Sequence, residues 1–176
     1  MRGVWHAPDR APAPAAGPRV RDVPADIVVT TVAPLLTAVV ARTTTWEELP
    51  RLWPALLDEV YGLVRARPEL SPAAGPGPKW QNVMLYKDDA PSVEVGVLVG
   101  AAFEPEGRVV PSRLPGGEVV MTTHRGAYAR LGDAHDAVHR FAAGRGLTLA
   151  RPRWEIYGHP GDPETEPVTD VYWLVR

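Results

Sequence analysis

Predicted strands and helices occur in the same order in both halves of the sequence, and this repetition restricts the fold more than any other feature. Each half contains strand-like sequence, an amphipathic helix and two further strands. When the two helices are aligned, the positions of their apolar stripes coincide although the identity is negligible: Trp46 falls on Tyr128, Leu49 on Leu131, Trp53 on His135 and Leu56 on Val138. Because each half alone would leave one sheet face uncovered, we predict an α+β fold built from duplicated β-α-β-β units.

The predicted strands are short and rich in β-branched residues. In the first half they are IVVTTV, LLTAVVAR, WQNVMLY and VEVGVLV, with KDDAP as a hairpin connection between the last two. In the second half they are EVVMTT, WEIYG and VTDVYWLV, and a helix lies between the first two of these. The stretch EPEGRVVPSRLPGG is predicted to be a loop. Alternation in VEVGVLV places Glu94 opposite a face of four valines, so Glu94 is predicted to face solvent.

The first predicted helix lies within the stretch TTTWEELPRLWPALLDEVYGLV. Its apolar stripe contains Trp46 and Trp53, which are therefore predicted to be core residues. Two starts are compatible with the prolines in this stretch. Either the helix begins near Leu49, with Pro50 in its first position and Pro54 as a kink, or an early turn precedes it.

Residues 1–25 contain five prolines and few large apolar residues, so they are predicted to form a disordered Pro-rich tail. Residues 26–176 are predicted to form the folded domain, with its two halves at about 26–100 and 117–176.

Composition and charge exclude several classes of protein. The net charge of −2 provides no broad basic surface, so no nucleic-acid partner is predicted. The absence of cysteine excludes disulfides and thiolate chemistry. No apolar run approaches the ~20 residues of a membrane span, and the N-terminus lacks a signal-peptide core, so we expect a cytoplasmic protein without membrane association. Nucleotide-binding and serine-hydrolase fingerprints are missing, so no cofactor is predicted, and no feature predicts an oligomeric state.

Two histidines have an i, i+4 spacing in the stretch HDAVH, from His135 to His139. This spacing places both on one helix face, as in the H-E-x-x-H zinc motif, with Asp136 in place of the glutamate. The shorter acid, the lack of a third ligand at a recognisable spacing and the alignment of His135 with Trp53 all disfavour a metal. We therefore predict no metal site, and zinc hydrolysis is the alternative.

Four stretches, taken in order, resemble the GyrI-like (gyrase-inhibitor-like) family of small-molecule-binding domains. They are TTTWEELPRLWPALLDEVY, VMLYKDDAPSVEVGVLV, VVMTTHRGAYARLGDAHDAVHRF, and the terminal pair WEIYGHP and DVYWLV. The resemblance implies two halves related by a pseudo-twofold axis, with a ligand cleft between them that is lined by aromatic and aliphatic side chains. In related regulators this domain follows a DNA-binding module. Only a short Pro-rich segment precedes it here, so we expect a stand-alone member.

The resemblance draws attention to Glu155, at the centre of the predicted strand WEIYG. In family members an acidic residue in the penultimate strand faces the cleft, and Glu155 is the matching position. By alternation Glu155 shares a strand face with Arg153 and Tyr157, while Trp154 and Ile156 lie on the other face. Alternation alone also allows an exposed polar face with an Arg–Glu surface pair. With the resemblance, we predict that Glu155 is a carboxylate in the cleft.

Tyr157 shares the face of Glu155 and is the second residue that we predict to be catalytic if the protein is an enzyme. Further aromatic residues on elements that could border the cleft are predicted ligand contacts, with ordinary core packing as the alternative for each. These are Trp80, Tyr86, Tyr128, Trp154, Tyr172 and Trp173.

Two functions are implied by the resemblance. In the first, the cleft binds a planar hydrophobic small molecule, neutral or cationic, such as a drug or toxin, and gives resistance or detoxification by sequestration. In the second, the protein is a cofactor-independent hydrolase, like those family members that add water to cyclopropane-bearing DNA-alkylating compounds. Glu155 would then take a proton from the attacking water, and Tyr157 or Tyr86 would hydrogen-bond the substrate carbonyl.

Overall fold

The computed structural model describes residues 27–72, 80–158 and 166–176. Within them, eight strands form one antiparallel sheet, and two α-helices pack against it. The predicted α+β class is confirmed, while the predicted tail of residues 1–25 lies outside the described residues. The elements are β1 (Val28–Val32), β2 (Leu35–Thr43), α1 (Leu49–Ala66), β3 (Asn82–Tyr86), β4 (Ser92–Leu98), β5 (Val110–Leu114), β6 (Gly117–Arg125), α2 (Leu131–Gly144), β7 (Leu149–Tyr157) and β8 (Val168–Val175).

The strand order is β1-β6-β8-β7-β3-β4-β2-β5, so β7 and β3 form the central pair, and β1 lies beside β6 at one edge. Moving outward from this pair, β8 and β6 follow on one side, and β4 and β2 follow on the other. The central strands are antiparallel, and their register places Glu155 opposite Met84 and Arg153 opposite Tyr86.

Both helices lie on the same face of the sheet. α1 packs mainly on β2 and β4, and α2 packs on β6 and β8. The cluster under α1 includes Met84, and the cluster under α2 includes Val171. Met84 and Val171 are the residues opposite Glu155 on its two neighbouring strands, and directly opposed residues project from the same face. The helices therefore cover opposite halves of one face, and the central pair β3–β7 lies between them.

The other face of the sheet is enclosed by curvature. Residues 33–34 connect β1 to β2, and residues 115–116 connect β5 to β6. Each of these connections joins strands from opposite ends of the strand order, and two residues span only ~7 Å. The sheet must therefore curl until its two ends approach. The enclosed face buries an apolar cluster in which Trp154 and Tyr172 stack with ring centroids 5.3 Å apart.

Two predictions for the middle of the chain are wrong. The stretch EPEGRVVPSRLPGG was expected to be a loop, yet it contains β5, which pairs with β2 at the edge of the sheet. β5 contains Pro111, which an edge strand tolerates. Glu94, predicted to face solvent, is buried on the enclosed face, where it accepts a hydrogen bond from Ser112 of β5 at 2.7 Å and pairs with Lys87.

α1 begins at Leu49, and a turn over residues 46–48 precedes it. Both expected features are therefore present, since the helix begins at Leu49 and a turn precedes it. Pro54 lies inside the helix. Because Trp46 precedes the helix, the helical stripe does not extend to it. The prediction that Trp46 is a core residue is wrong, since Trp46 is 50% exposed. Neither helix in the described part of the chain is both long and apolar enough to cross a membrane.

Candidate functional site

A cavity of about 500 Å³ opens over the central strand pair, between the N-terminal parts of the two helices. Its floor comes from β3, β7 and β8, and its walls come from the turn before α1, the start of α1 and the exposed side of α2. The cavity lies here because the helices pack on the outer strands of each half and leave the central pair between them.

Glu155 lies on the floor of this cavity, and only 2% of the residue is exposed. Three donors contact its carboxylate. His135 Nε2 lies 2.7 Å from Oε1, the Tyr86 hydroxyl lies 3.2 Å from Oε2, and the Tyr157 hydroxyl also donates to Oε2. A carboxylate removed from water needs such hydrogen bonds in place of its hydration. The three donors thus hold an acceptor-only carboxylate at the base of the cavity.

The hydrogen bonds of His135 fix its tautomer. The indole N–H of Trp173, which can only donate, lies 3.0 Å from His135 Nδ1. Nδ1 must therefore accept, and the ring proton is on Nε2, from which it is donated to Glu155. His135 is accordingly a neutral imidazole that links Trp173 to the carboxylate.

The two tyrosines at Glu155 are donors and not bases. Burial raises the pKa of Tyr157 well above its ordinary value, and the negative charge of Glu155 raises it further. Burial likewise raises the pKa of Tyr86, and the charge of Glu155 again adds to the effect. Both phenols therefore keep their protons at neutral pH.

Arg153 lies beside Glu155 on the same strand face, and its side chain is only 8% exposed. Its guanidinium carbon is 4.8 Å from the ring centroid of Trp173, 5.0 Å from that of Tyr86 and 5.5 Å from that of Trp46. Nη1 donates to the Asp89 carboxylate at 2.9 Å. We refer to Trp46, Tyr86 and Trp173 as the aromatic cage. The cation inside this cage is the guanidinium of Arg153.

Aromatic rings also form the mouth of the cavity. Trp46 stacks on Tyr86 at 5.6 Å, and its indole N–H reaches the Asp89 carbonyl at 3.3 Å. Tyr128 is 47% exposed and meets the ring of Tyr157 edge-on at 5.7 Å. Large π-faces are therefore accessible from solvent next to the buried carboxylate, an arrangement suited to flat apolar molecules.

The structure brings together part of the predicted site. Glu155 lies in the cavity, and Tyr157 contacts it from the side of α1, where its ring stacks on Trp53. Three of the six predicted ligand contacts line the cavity: Tyr86, Tyr128 and Trp173. The other three lie away from it. Trp154 and Tyr172 are on the enclosed face, as expected from their strand positions relative to Glu155 and Trp173, and Trp80 is buried in the core under α1.

Sequence reasoning missed Arg153, His135, Trp46 and Asp89 as cavity residues. Alternation did place Arg153 beside Glu155, but as one half of a surface pair. The i, i+4 spacing of the two histidines did mark the helix face that lines the cavity, although a metal was the function considered for it. His139 packs edge-on against Trp173 at 4.3 Å. In the described part of the chain, no three acidic or histidine side chains lie close enough together to hold a metal ion.

The sequence and fold match known proteins. A family model described as the GyrI-like small molecule binding domain matches residues 25–176. The EcmrR C-terminal domain has a similar structure, with a TM-score of 0.68, 18% identity, and coverage of 86% of this chain and 97% of that one. SAV2435 bound to tetraphenylphosphonium has a TM-score of 0.61 and 12% identity, with coverage of 86% and 94%. A hydrolase from Listeria innocua has a TM-score of 0.53 and 14% identity, with coverage of 88% and 94%.

No protein of curated function matches the sequence. The structural neighbours share less than a quarter of their residues with this chain, so they establish the fold only. The family match is broader, because it extends over the cavity and over every described strand and helix. The chain belongs to the GyrI-like family of small-molecule-binding domains.

Proposed function

We propose that this protein binds planar, hydrophobic small molecules, including organic cations, in the cavity over β3 and β7, and that sequestration of a drug or toxin gives resistance. The observation that carries the proposal is the buried carboxylate of Glu155, which three hydrogen-bond donors hold on the floor of an aromatic cavity. A charge held in a site of low polarity attracts an opposite charge more strongly than it would in water.

The aromatic lining supports the same proposal. Rings at the mouth offer dispersion contacts and cation–π attraction, and the cavity has the volume of a typical small-ligand site. SAV2435, which shares the fold, binds tetraphenylphosphonium, a bulky aromatic cation. That compound is therefore a suitable first probe.

The proposal is tested by calorimetry with two cations, tetraphenylphosphonium, whose four phenyl rings are arranged tetrahedrally, and ethidium, which is planar. Glu155→Gln is the main variant. The glutamine has the same shape but no charge, so we expect its affinity to fall roughly tenfold or more. Glu94→Gln is the matched control, because it removes another buried carboxylate from the opposite sheet face and should leave the affinity unchanged. Equal affinities for wild-type protein and Glu155→Gln, or no binding by either, would contradict the proposal.

A second function, cofactor-independent hydrolysis of a strained electrophile such as a cyclopropane-bearing alkylator, is favoured by the way Glu155 is held. A base oriented by a second group is the usual arrangement in general-base catalysis, and His135 orients Glu155. Water would attack a cyclopropane carbon as Glu155 takes its proton. The ring C–C bond would break, and its electron pair would move to the conjugated carbonyl oxygen, which finally takes the proton.

Tyr157 or Tyr86 is predicted to hydrogen-bond the substrate carbonyl, but in the free protein both hydroxyls have Glu155 as their acceptor. Tyr86 and Tyr157 both donate to Glu155, so one of them would have to turn toward the substrate. Mass spectrometry with excess alkylator separates the two functions. Repeated addition of one water per substrate, abolished in Glu155→Gln, supports a hydrolase, whereas uptake of unchanged compound up to one equivalent supports sequestration.

We further infer that the cavity lies on a pseudo-twofold axis between duplicated β-α-β-β units. The strand order supports this, because β7-β8-β6 and β3-β4-β2 follow outward from the centre in equivalent positions. The ligand site would then lie where the two units meet, with one helix from each unit beside it.

A further inference from the structure

Arg153 places a positive charge of the protein inside the aromatic lining of the proposed cation site. We infer that Arg153 is an internal cation that competes with cationic ligands for the aromatic cage, and that it thereby sets the charge selectivity of the cavity. This inference rests on the proposed function, because it concerns which ligands the same cavity accepts.

The surroundings of the guanidinium are those of a bound cation. The ring centroids of Trp173, Tyr86 and Trp46 all lie between 4.8 and 5.5 Å from its central carbon, within the ~6 Å range of cation–π attraction. The Asp89 carboxylate completes the set at 2.9 Å. Three rings and one carboxylate would bind an organic ammonium or phosphonium group in the same manner. Arg153 therefore occupies the surface that such a ligand would use.

The ion pair between Arg153 and Asp89 adds little to the contacts of Arg153 with the three rings. Asp89 lies in the turn between β3 and β4, and its side chain is 78% exposed. An ion pair with one partner so open to water contributes little to stability. The Arg153 side chain can therefore be displaced from the cage, although a ligand that displaces it loses part of its own binding energy.

A ligand that leaves Arg153 in place also meets its charge. Arg153 and Glu155 are two residues apart on one strand face, so a cation drawn to Glu155 lies within several ångströms of the guanidinium. Repulsion between like charges at such a distance is substantial in a partly buried site. By either route Arg153 lowers the affinity for cations, and it favours anionic ligands of the same shape.

Two probes of nearly identical shape and opposite charge test the inference: tetraphenylphosphonium and tetraphenylborate. Arg153→Gln removes the charge and keeps a polar side chain, which is shorter than that of arginine. We expect this variant to bind tetraphenylphosphonium about tenfold more tightly and tetraphenylborate about tenfold more weakly than the wild-type protein. A change in cavity shape or in folding would shift both affinities in the same direction, so opposite shifts identify the charge.

Matched variants complete the experiment. Arg153→Lys keeps the charge and should retain most of the wild-type preference. Arg151→Gln removes the same net charge from an exposed position on the same strand and should leave both affinities unchanged. Melting temperatures report whether each variant is folded. Arg153→Met, whose apolar side chain suits the three rings, is the second neutral variant if Arg153→Gln does not fold.

This experiment can show that the inference about Arg153 is wrong without contradicting the proposed function. If binding depends on Glu155 but Arg153→Gln and Arg153→Met bind both probes as the wild-type protein does, only the inference about Arg153 is wrong. Equal shifts of both affinities in one direction would also overturn it, because Arg153 would then act through its bulk. If binding does not depend on Glu155, the proposed function itself is wrong.

Discussion

The hydrogen bond from Tyr157 to Glu155 can be measured apart from the rest of the site, because Tyr157→Phe removes a hydroxyl and little else. The phenyl ring retains its stacking on Trp53 at 5.9 Å and its edge contact with Tyr128 at 5.7 Å. The loss in the free energy of unfolding therefore reports the hydroxyl. A hydrogen bond to a charged group contributes about 1.5–3 kcal/mol, and a neutral one contributes about 0.5–1.5 kcal/mol.

Glu155→Gln changes the partner of Tyr157 without changing its shape. His135 Nε2–H still needs an acceptor, so the amide oxygen should take the position of Oε1 and the amide nitrogen should face the tyrosines. The remaining contact is then neutral. We expect Tyr157→Phe to cost about 2–3 kcal/mol in the wild-type protein and about 1 kcal/mol in the Glu155→Gln background. The coupling energy of this double-mutant cycle should be about 1–2 kcal/mol.

Urea unfolding of the four proteins, followed by tryptophan fluorescence, gives the required free energies. Ser112→Ala is the control, because Ser112 donates at 2.7 Å to a different buried carboxylate, Glu94, on the opposite face of the sheet. It should cost the same in both backgrounds, because its partner is unchanged. If Tyr157→Phe costs the same with and without the charge of Glu155, then Tyr157 does not donate to an ionised carboxylate, and our description of the site is wrong.

Two further predictions concern pH and packing. Because the folded state raises the pKa of Tyr86 and Tyr157, their contribution to stability is present below the ordinary tyrosine pKa of about 10 and is lost as the pH rises above it. Tyrosinate absorbance from these two residues should therefore appear only together with unfolding, and Phe variants at both positions should remove that part of the signal. Gly96→Ala should destabilise the fold by about 3 kcal/mol or more, because the added Cβ would lie 1.9 Å from the carbonyl oxygen of Ala38. Gly62→Ala, in an open part of α1, should stabilise it by about 0.5–1 kcal/mol, and thermal melts compare the two.

Local periodicity was sufficient to predict which face of a strand each side chain lies on. Alternation along β7 placed Arg153, Glu155 and Tyr157 on one face, and the structure has all three on the side of the helices. The same alternation separates Trp154 from Glu155, which is why Trp154 lies in the enclosed core. Alternation along β7 therefore already argued against Trp154 as a ligand contact in the cleft of Glu155.

Features that depend on strand order could not be predicted in this way. β5 is recognisable only from its pairing with β2, and Glu94 is buried only because the curled sheet brings Ser112 to it. The role of His135 depends on the position of α2 relative to β7 and β8, which supply its partners Glu155 and Trp173, 20 and 38 residues away in sequence. Neither the spacing of the histidines nor their apolar surroundings carries that information.

The position of the cavity and the chemistry of Glu155 have a common physical origin. Helices packed on the outer strands of each half cover the central pair only in part, so Tyr86 of β3 and Arg153 and Glu155 of β7 border a gap between them. A carboxylate in such a gap is too enclosed for full hydration, yet it is not packed against apolar groups alone. It persists there because β3, β7 and α2 supply donors to its two oxygens, while Trp173 of β8 donates to His135. Glu155 also lines the cavity, so the donors that stabilise its carboxylate hold it next to the space that a ligand would occupy under the proposed function.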